Sequence, residues 1–321
     1  MAAVGELTPG AVSVVIPTKD RARVLTQTLR SVWEQTFSPD QVVIADDGST
    51  DETEEIARAA GAVYLFKPGG GWGVTGGRNA GLEQVTTEYV AFVDSDDLLR
   101  PRALELMRQA LELRPQAPFA YGRALSAARE GDRWCPQALT GPEPGELVRP
   151  LCSLFGRNSV HSSCAVARTS GVRSVGAYDP SVRFAEDHHL WVRLARRGAP
   201  AHCAEVLSVY RHHPGNIFAP ADMIGDRDAF RALADADPRL ARCWQDWLGV
   251  HLLETVAETA RSGRPADVAR SLSAHLLHES RWPRITAAAI EHFRRRRRLW
   301  QAGLELWAGD PDFRAWLAGY E

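Results

Sequence analysis

The 321-residue chain is 45% hydrophobic and 24% charged, with a formal net charge of −2. Those values exclude a disordered chain and a general nucleic-acid coat, and the length allows one large core or two modest ones. No basic-then-apolar leader or membrane-length apolar run is present, so a cytoplasmic protein with at most peripheral membrane contact is expected.

Val12 to Ile16 is a continuous apolar run stopped by Pro17, as expected of a strand covered on both faces. Asp20 is a candidate cap for a helix in which Leu25, Leu29 and Val32 recur on one face. Gln41–Ala45 is a second strand, Asp51–Ala60 a helix closed by Gly61, and Val63–Phe66 a third strand. A glycine-rich loop, Gly69–Gly77, leads to a helix from about Arg78. Tyr89–Val93 is a further buried strand, and Pro101 opens the next helix. Phe119–Leu125 is another strand, and the Pro- and Gly-containing stretch from about 130 to 150 looks like a surface connection. A helix over Asp187–Arg197 and a strand over Val206–Tyr210 follow. Beyond Pro220 the pattern is helical, with Trp244, Trp247, Leu248 and Leu252 spaced for burial. The alternation predicts an α/β fold, a mostly parallel sheet with helices on both faces.

Two acidic clusters end predicted strands: Asp46-Asp47-Gly48-Ser49-Thr50-Asp51 and Asp94-Ser95-Asp96-Asp97. Ligands of open α/β sheets bind at the carboxyl ends of strands. Two carboxylate clusters at one edge repel each other unless a cation or donor groups lie between them. Mn²⁺ or Mg²⁺ bridging a diphosphate suits such an edge. Helix capping explains part of these residues, but not three aspartates after one buried strand. The five cysteines, Cys135, Cys152, Cys164, Cys203 and Cys243, are odd in number, widely spaced and lack C-x-x-C. They argue against a disulfide framework or a thiolate zinc site and for a reducing compartment.

Val14-Val15-Ile16-Pro17-Thr18, Ala45-Asp46-Asp47-Gly48-Ser49-Thr50-Asp51, Arg78-Asn79-Ala80-Gly81-Leu82, Phe92-Val93-Asp94-Ser95-Asp96-Asp97 and Glu186-Asp187-His188-His189-Leu190-Trp191 occur in this order. Together they closely resemble the GT-A-fold family 2 glycosyltransferases, over roughly residues 12 to 216. The resemblance implies a metal-dependent, inverting transfer of a hexosyl or N-acetylhexosaminyl group from a nucleotide sugar, a UDP-sugar, to an acceptor hydroxyl. Pro17 and Thr18 match positions beside the uracil-type base, Asp47 the carboxylate that accepts from the base, and Arg78 a basic residue facing the nucleotide. Asp94, Ser95 and Asp96 match the element holding ribose and donor sugar, with Asp97 and Asp96 at the metal. The resemblance favours Asp97 on the metal and Asp96 on the ribose. Asp187 matches the catalytic base; direct displacement needs one carboxylate to take the acceptor proton. His213, in Tyr210-Arg211-His212-His213, falls on a family histidine, which leaves a metal-ligand role and a structural role both open.

The implied organisation is a GT-A catalytic domain over 1–216, with a nucleotide-binding half to about 100 and an acceptor half over about 101–216, then a helical C-terminal region over 217–321. Gly71-Trp72-Gly73-Val74-Thr75-Gly76 satisfies G-x-G-x-x-G, but that dinucleotide fingerprint belongs on the first βα turn and two βα units precede it here. Arg294–Arg298 is read first as a solvated helix face and second as a contact for anionic lipid or a phosphorylated acceptor. Two other functions fit the same clusters: a nucleotide-sugar-binding protein without transferase activity, and a nucleotidyltransferase on a similar fold. Acceptors left open are a saccharide, a lipid-linked intermediate, a natural product or a peptide.

Overall fold

The computed structural model describes residues 7–131, 133–143, 147, 149–213, 226–251 and 282–320. Leu252 and the 216/217 boundary lie outside the described residues. The front of the chain alternates as its periodicity predicts: β1 (Thr8–Thr18), α1 (Ala22–Trp33), β2 (Gln41–Asp46), α2 (Thr53–Ala59), β3 (Val63–Phe66), α3 (Gly73–Glu83) and β4 (Thr87–Phe92). Then come β5 (Leu98–Leu99), α4 (Ala103–Leu113), β6 (Phe119–Glu130), β7 (Arg133–Leu139), α5 (Pro150–Gly156), β8 (Ala165–Arg168), α6 (Thr169–Ser174), α7 (Glu186–Ala195) and β9 (Ala201–His212). The C-terminal part is helical: α8 (Arg227–Ala236), α9 (Pro238–Ala241), α10 (244–251), α11 (Trp282–Gly309) and α12 (Pro311–Ala318).

One sheet runs β3-β2-β1-β4-β8-β6-β9-β5, with β7 paired to β6. The β3-β2-β1-β4 part is parallel, whereas β8 is antiparallel to both neighbours, β4 and β6, and β5 to β9. The sheet is therefore mixed rather than mostly parallel. The reason is the return of β8 between β4 and β6, a pairing of segments about 45 and 75 residues apart that no local pattern encodes. Arg133–Leu139 also differ from the expected surface connection: they pair with β6 as a hairpin whose turn contains Gly131 at φ 62°.

Strand residues alternate between two cores, as a pleat requires. Val15, Val43, Val90 and Phe92 face one core with α7 and Trp191; Val14, Ile16, Val42, Ile44 and Ala91 face the other with α1 and α4. A third cluster joins Leu98, Leu125 and Val209 to Leu299, Phe313 and Leu317, and so docks α11 and α12 onto the far end of the sheet. Gly81 lets α3 lie close on β1, since a Cβ there would stand 2.3 Å from Val15 Cγ1. No helix among the described residues is long and apolar enough to cross a membrane.

Cys152 and Cys243 form a disulfide, with Cα atoms 5.6 Å apart and a sequence separation of 91. This corrects the expectation drawn from the odd, scattered cysteines: packing of α5 against the α9–α10 corner makes neighbours of two residues whose spacing says nothing. It also removes the argument for a reducing compartment that rested on the count.

Candidate active site

The tips of β1, β2 and β4 share one edge because their strands are parallel neighbours. After β2, Asp46 turns inward: it accepts from the Ser49 N–H (2.7 Å) and the Tyr64 hydroxyl (2.7 Å). Asp47 faces the glycine loop and accepts from the backbone N–H groups of Trp72 (2.6 Å) and Gly73 (3.1 Å). The carboxylate thereby sits at the positive end of α3, where helix N–H groups lack internal partners. Gly48, at φ 86°, makes the turn; a Cβ would meet the Gly70 nitrogen at 2.6 Å. Gly73, Gly76 and Gly77 lie inside α3, so the G-x-G-x-x-G string is partly helix. Thr18 is 6% exposed and its hydroxyl has no hydrogen-bond partner among the described residues; Pro17 packs at the same tip, close beneath Gly77. Asp20 does not cap α1: Asp51 accepts from the Ala22 N–H (2.9 Å) while Asp20 accepts from Thr50.

After β4 the chain makes a tight turn in which the Asp97 N–H donates to the Asp94 carbonyl. Ser163 pins it, accepting from the Asp94 N–H (3.0 Å) and donating to Asp97 Oδ2 (2.6 Å). The other Asp97 oxygen accepts from the Arg211 N–H (3.3 Å), and Asp97 is completely buried. Burial first, then the Asp94 and Asp96 charges, push its carboxyl pKa well above the usual carboxylate range. The buried Arg211 guanidinium donates to the Asp96 carbonyl and to the Val24 carbonyl and Thr28 hydroxyl of α1; Thr28 in turn donates to the Ser95 carbonyl. Ser95, 8% exposed, thus enters the site through its backbone.

Two donor sets for a divalent ion lie on this edge. Asp94, Asp97 and His161 each offer a ligand atom within 4.8 Å of the others. His161 Nδ1 lies 3.6 Å from Asp97 Oδ2 without a hydrogen bond, and burial lowers the imidazole pKa, favouring the neutral, metal-binding form. In the second set, His213 Nε2 lies 2.8 Å from Asp96 Oδ2, and Arg21 Nη1 reaches both, at 2.9 and 3.2 Å. One ring nitrogen cannot donate to Asp96 and accept from Arg21 at once. Asp96 and His213 together offer a carboxylate and an imidazole, donors that would suit a divalent metal. Carboxylate with imidazole suits Mn²⁺ better than Mg²⁺.

Arg78 closes the gap between the two halves. Its side chain is 3% exposed and donates to Asp94 (2.6 Å) and Glu186 (2.7 Å), with the guanidinium 5.1 Å from the Tyr178 ring centroid. Burial works to lower the Arg78 pKa, but Tyr178, Asp94 and Glu186 outweigh it and hold the group charged. Asn79 clamps the same segment, exchanging hydrogen bonds with the Tyr178 backbone (2.9 and 3.0 Å). Asp187 opens α7 beside Glu186, half-buried, and accepts from Asn158 Nδ2 (3.1 Å) and the His188 N–H (2.6 Å). Burial, with the Glu186 charge behind it, pushes its pKa up to about 6.

Of the residues expected from sequence, Asp94 and Asp97 meet with His161, Asp96 meets His213, and Arg78 ties Asp94 to the helix carrying Asp187. Pro17, Thr18 and Asp47 lie on the adjoining strand tips. Sequence reasoning missed His161, Arg21 and Asp226. Asp226 accepts from the backbone N–H groups of Arg183, Phe184 and Ala185 (2.8–2.9 Å) and so fixes the segment entering α7. None of the three lies in a spaced motif; only the tertiary fold brings them in.

Residues 13–169 match the family model described as Glycosyl transferase family 2. An uncharacterized glycosyltransferase of Rickettsia prowazekii is 26% identical over 206 residues, covering 63% of this chain and 64% of that protein. The amylovoran biosynthesis glycosyltransferase AmsE of Erwinia amylovora is 26% identical over 223 residues, covering 68% of this chain and 79% of that one. The chain thus spans slightly under two thirds of the Rickettsia relative. Among solved structures, S. aureus TarS 1-349 in complex with UDP-GlcNAc superposes with a TM-score of 0.56 at 18% identity, over 80% of this chain and 89% of that one. The mannosyltransferase PcManGT of Pyrobaculum calidifontis, in complex with GDP-Man and Mn²⁺, gives 0.55 at 17% identity over 90% of each. At these identities the likeness is one of fold, and the fold is GT-A, with a helical C-terminal region.

Proposed function

We propose, since residues 13–169 match the family model of glycosyl transferase family 2, that the protein is an inverting glycosyltransferase, moving a sugar from a UDP-sugar to an acceptor hydroxyl with Asp187 as general base. The observation that carries the proposal is Arg78, whose one guanidinium holds Asp94 of the donor edge and Glu186 of the base helix. On this reading Arg78 holds the donor edge and the base helix side by side, which supports in-line displacement.

Thr18, with its unpartnered hydroxyl, and Asp47, with acceptor capacity left after two backbone bonds, read the base edge. The two similar structures carry different nucleotides, so the choice of UDP rests on this pair of residues. Asp187, with a pKa of about 6, is about nine-tenths ionised at pH 7 and can accept the acceptor proton. Asn158 and the His188 N–H orient the carboxylate.

A divalent ion, when bound, neutralises charge developing on the leaving diphosphate. We assign its ligands to Asp96 and His213, whose side chains are 13% and 24% exposed, whereas that of Asp97 is 0% exposed. The unpaired His161 nitrogen favours a second reading, the Asp94–Asp97–His161 set. Mn²⁺-induced thermal shifts decide: loss of the shift in His213→Ala with retention in His161→Ala supports the first assignment, and the converse supports the second.

Asp187→Asn tests the function. Transfer should fall about 10²- to 10⁴-fold while UDP-sugar affinity is kept. Equal turnover in variant and parent removes Asp187 from the reaction, and release of diphosphate from a nucleoside triphosphate would identify a nucleotidyltransferase instead. The acceptor, whether saccharide, lipid-linked intermediate, natural product or peptide, is left to product analysis.

A further inference from the structure

The five consecutive arginines of α11 do three different things. Arg295 is buried and donates to the Gly141 carbonyl; Arg298 is bound to Glu143 and Glu291. Arg294, Arg296 and Arg297 are exposed and have no carboxylate partner among the described residues. A solvated arginine run would need no more explanation, but these three border an apolar surface.

Four of the ten exposed large hydrophobic residues among those described lie on this one helix: Ile290 (54%), Phe293 (68%), Trp300 (50%) and Leu304 (36%). Their spacing of three, seven and four residues puts them on one face of α11. The opposite face, with Ile285, His292, Arg295 and Leu299, is buried, and Leu299 packs against the far end of the sheet. Arg297 falls within the apolar stripe, and Arg294 and Arg296 fall on its two sides. The stripe extends about 20 Å along the helix.

We infer that this face of α11 lies in the headgroup region of an anionic membrane, parallel to its plane. Phe293 and Trp300 enter the acyl boundary while the flanking guanidinium groups meet lipid phosphates, the usual division of labour in interfacial helices. Charge complementarity selects this occupant over a second copy of the chain, because two-fold pairing through the stripe sets arginines against arginines. The inference does not depend on the reaction proposed above.

Sedimentation of the full chain with phosphatidylcholine vesicles, with and without phosphatidylglycerol, tests it. The parent should pellet only with the anionic vesicles. Replacing Arg294, Arg296 and Arg297 together by Gln should weaken partition roughly a hundredfold. Phe293→Ser with Trp300→Ser should weaken it as well with the charge intact, and thermal melts should match the parent since every altered side chain is exposed. Failure of the parent to pellet, or undiminished binding by either variant, overturns the inference. Self-association without vesicles, abolished by the Phe293→Ser, Trp300→Ser pair and accompanied by no vesicle binding, overturns it too and assigns the face to a second copy.

Discussion

The front and back of the sheet region place their candidate site residues in different ways. In the front half, to about residue 100, parallel β1, β2 and β4 deliver Thr18, Asp47 and Asp94–Asp97 as short clusters at consecutive strand ends. In the back half, the segment before antiparallel β8, helix α7 and the late strand β9 bring His161, Asp187, Arg211 and His213 from widely separated positions. A parallel strand tip needs only local sequence to present a ligand to the crevice, whereas the back half supplies single residues whose use depends on register. Arg78, on a front-half helix, holds Glu186 of the back half and makes one site of the two.

That comparison can be broken most directly at Arg78. Arg78→Ala leaves Asp94 and Glu186 facing each other without their shared cation. It should lower unfolding stability by about 3–5 kcal/mol, as loss of one partner from a buried ion pair does, and abolish transfer. Denaturant melts together with a transfer assay measure both; an unchanged midpoint would mean that the two halves hold together without it.

The back half is tested by pH. The Asp187 carboxyl is raised to about 6, and a base works only when ionised. Log kcat should therefore be flat above that value and fall by about one unit per pH unit below it. An acid limb nearer the ordinary carboxylate range would show that a different group takes the proton.

The front half has the smallest expected effect, at Asp97. Its raised pKa means that the folded chain holds that proton more tightly than the unfolded chain does. Ionisation thus opposes folding, and stability falls as pH rises from near 4, the unfolded value, towards the folded pKa. Asp97→Asn removes this penalty. Without metal, the variant should melt about 2–4 °C above the parent at pH 8 and no higher at pH 4. A lower melting point at pH 8 would show that Asp97 is stabilised by its hydrogen bonds from Ser163 and Arg211 more than burial opposes it.

Motif order was enough to point to the family, since the apolar strands and the acids after them are adjacent in sequence. The clearest failures lie in the back half. Arg133–Leu139 look like part of a connection by composition but pair as β7, because β6 offers them an edge. The cysteine count argued against pairing, yet Cys152 and Cys243 meet where α5 packs against the α9–α10 corner.

By itself the sequence determined the strand tips, the acidic turn after β4 and the helix that Asp187 opens, because period, breaker residues and charge act over a few neighbours. Only the tertiary structure decided that Arg78 is shared, that Asp97 is buried while Asp96 is partly exposed, that His161 stands beside Asp97, and that α11 turns an apolar, arginine-flanked face outward. Each of these depends on which side of a strand or helix is covered, and that is fixed by the distant elements packed against it.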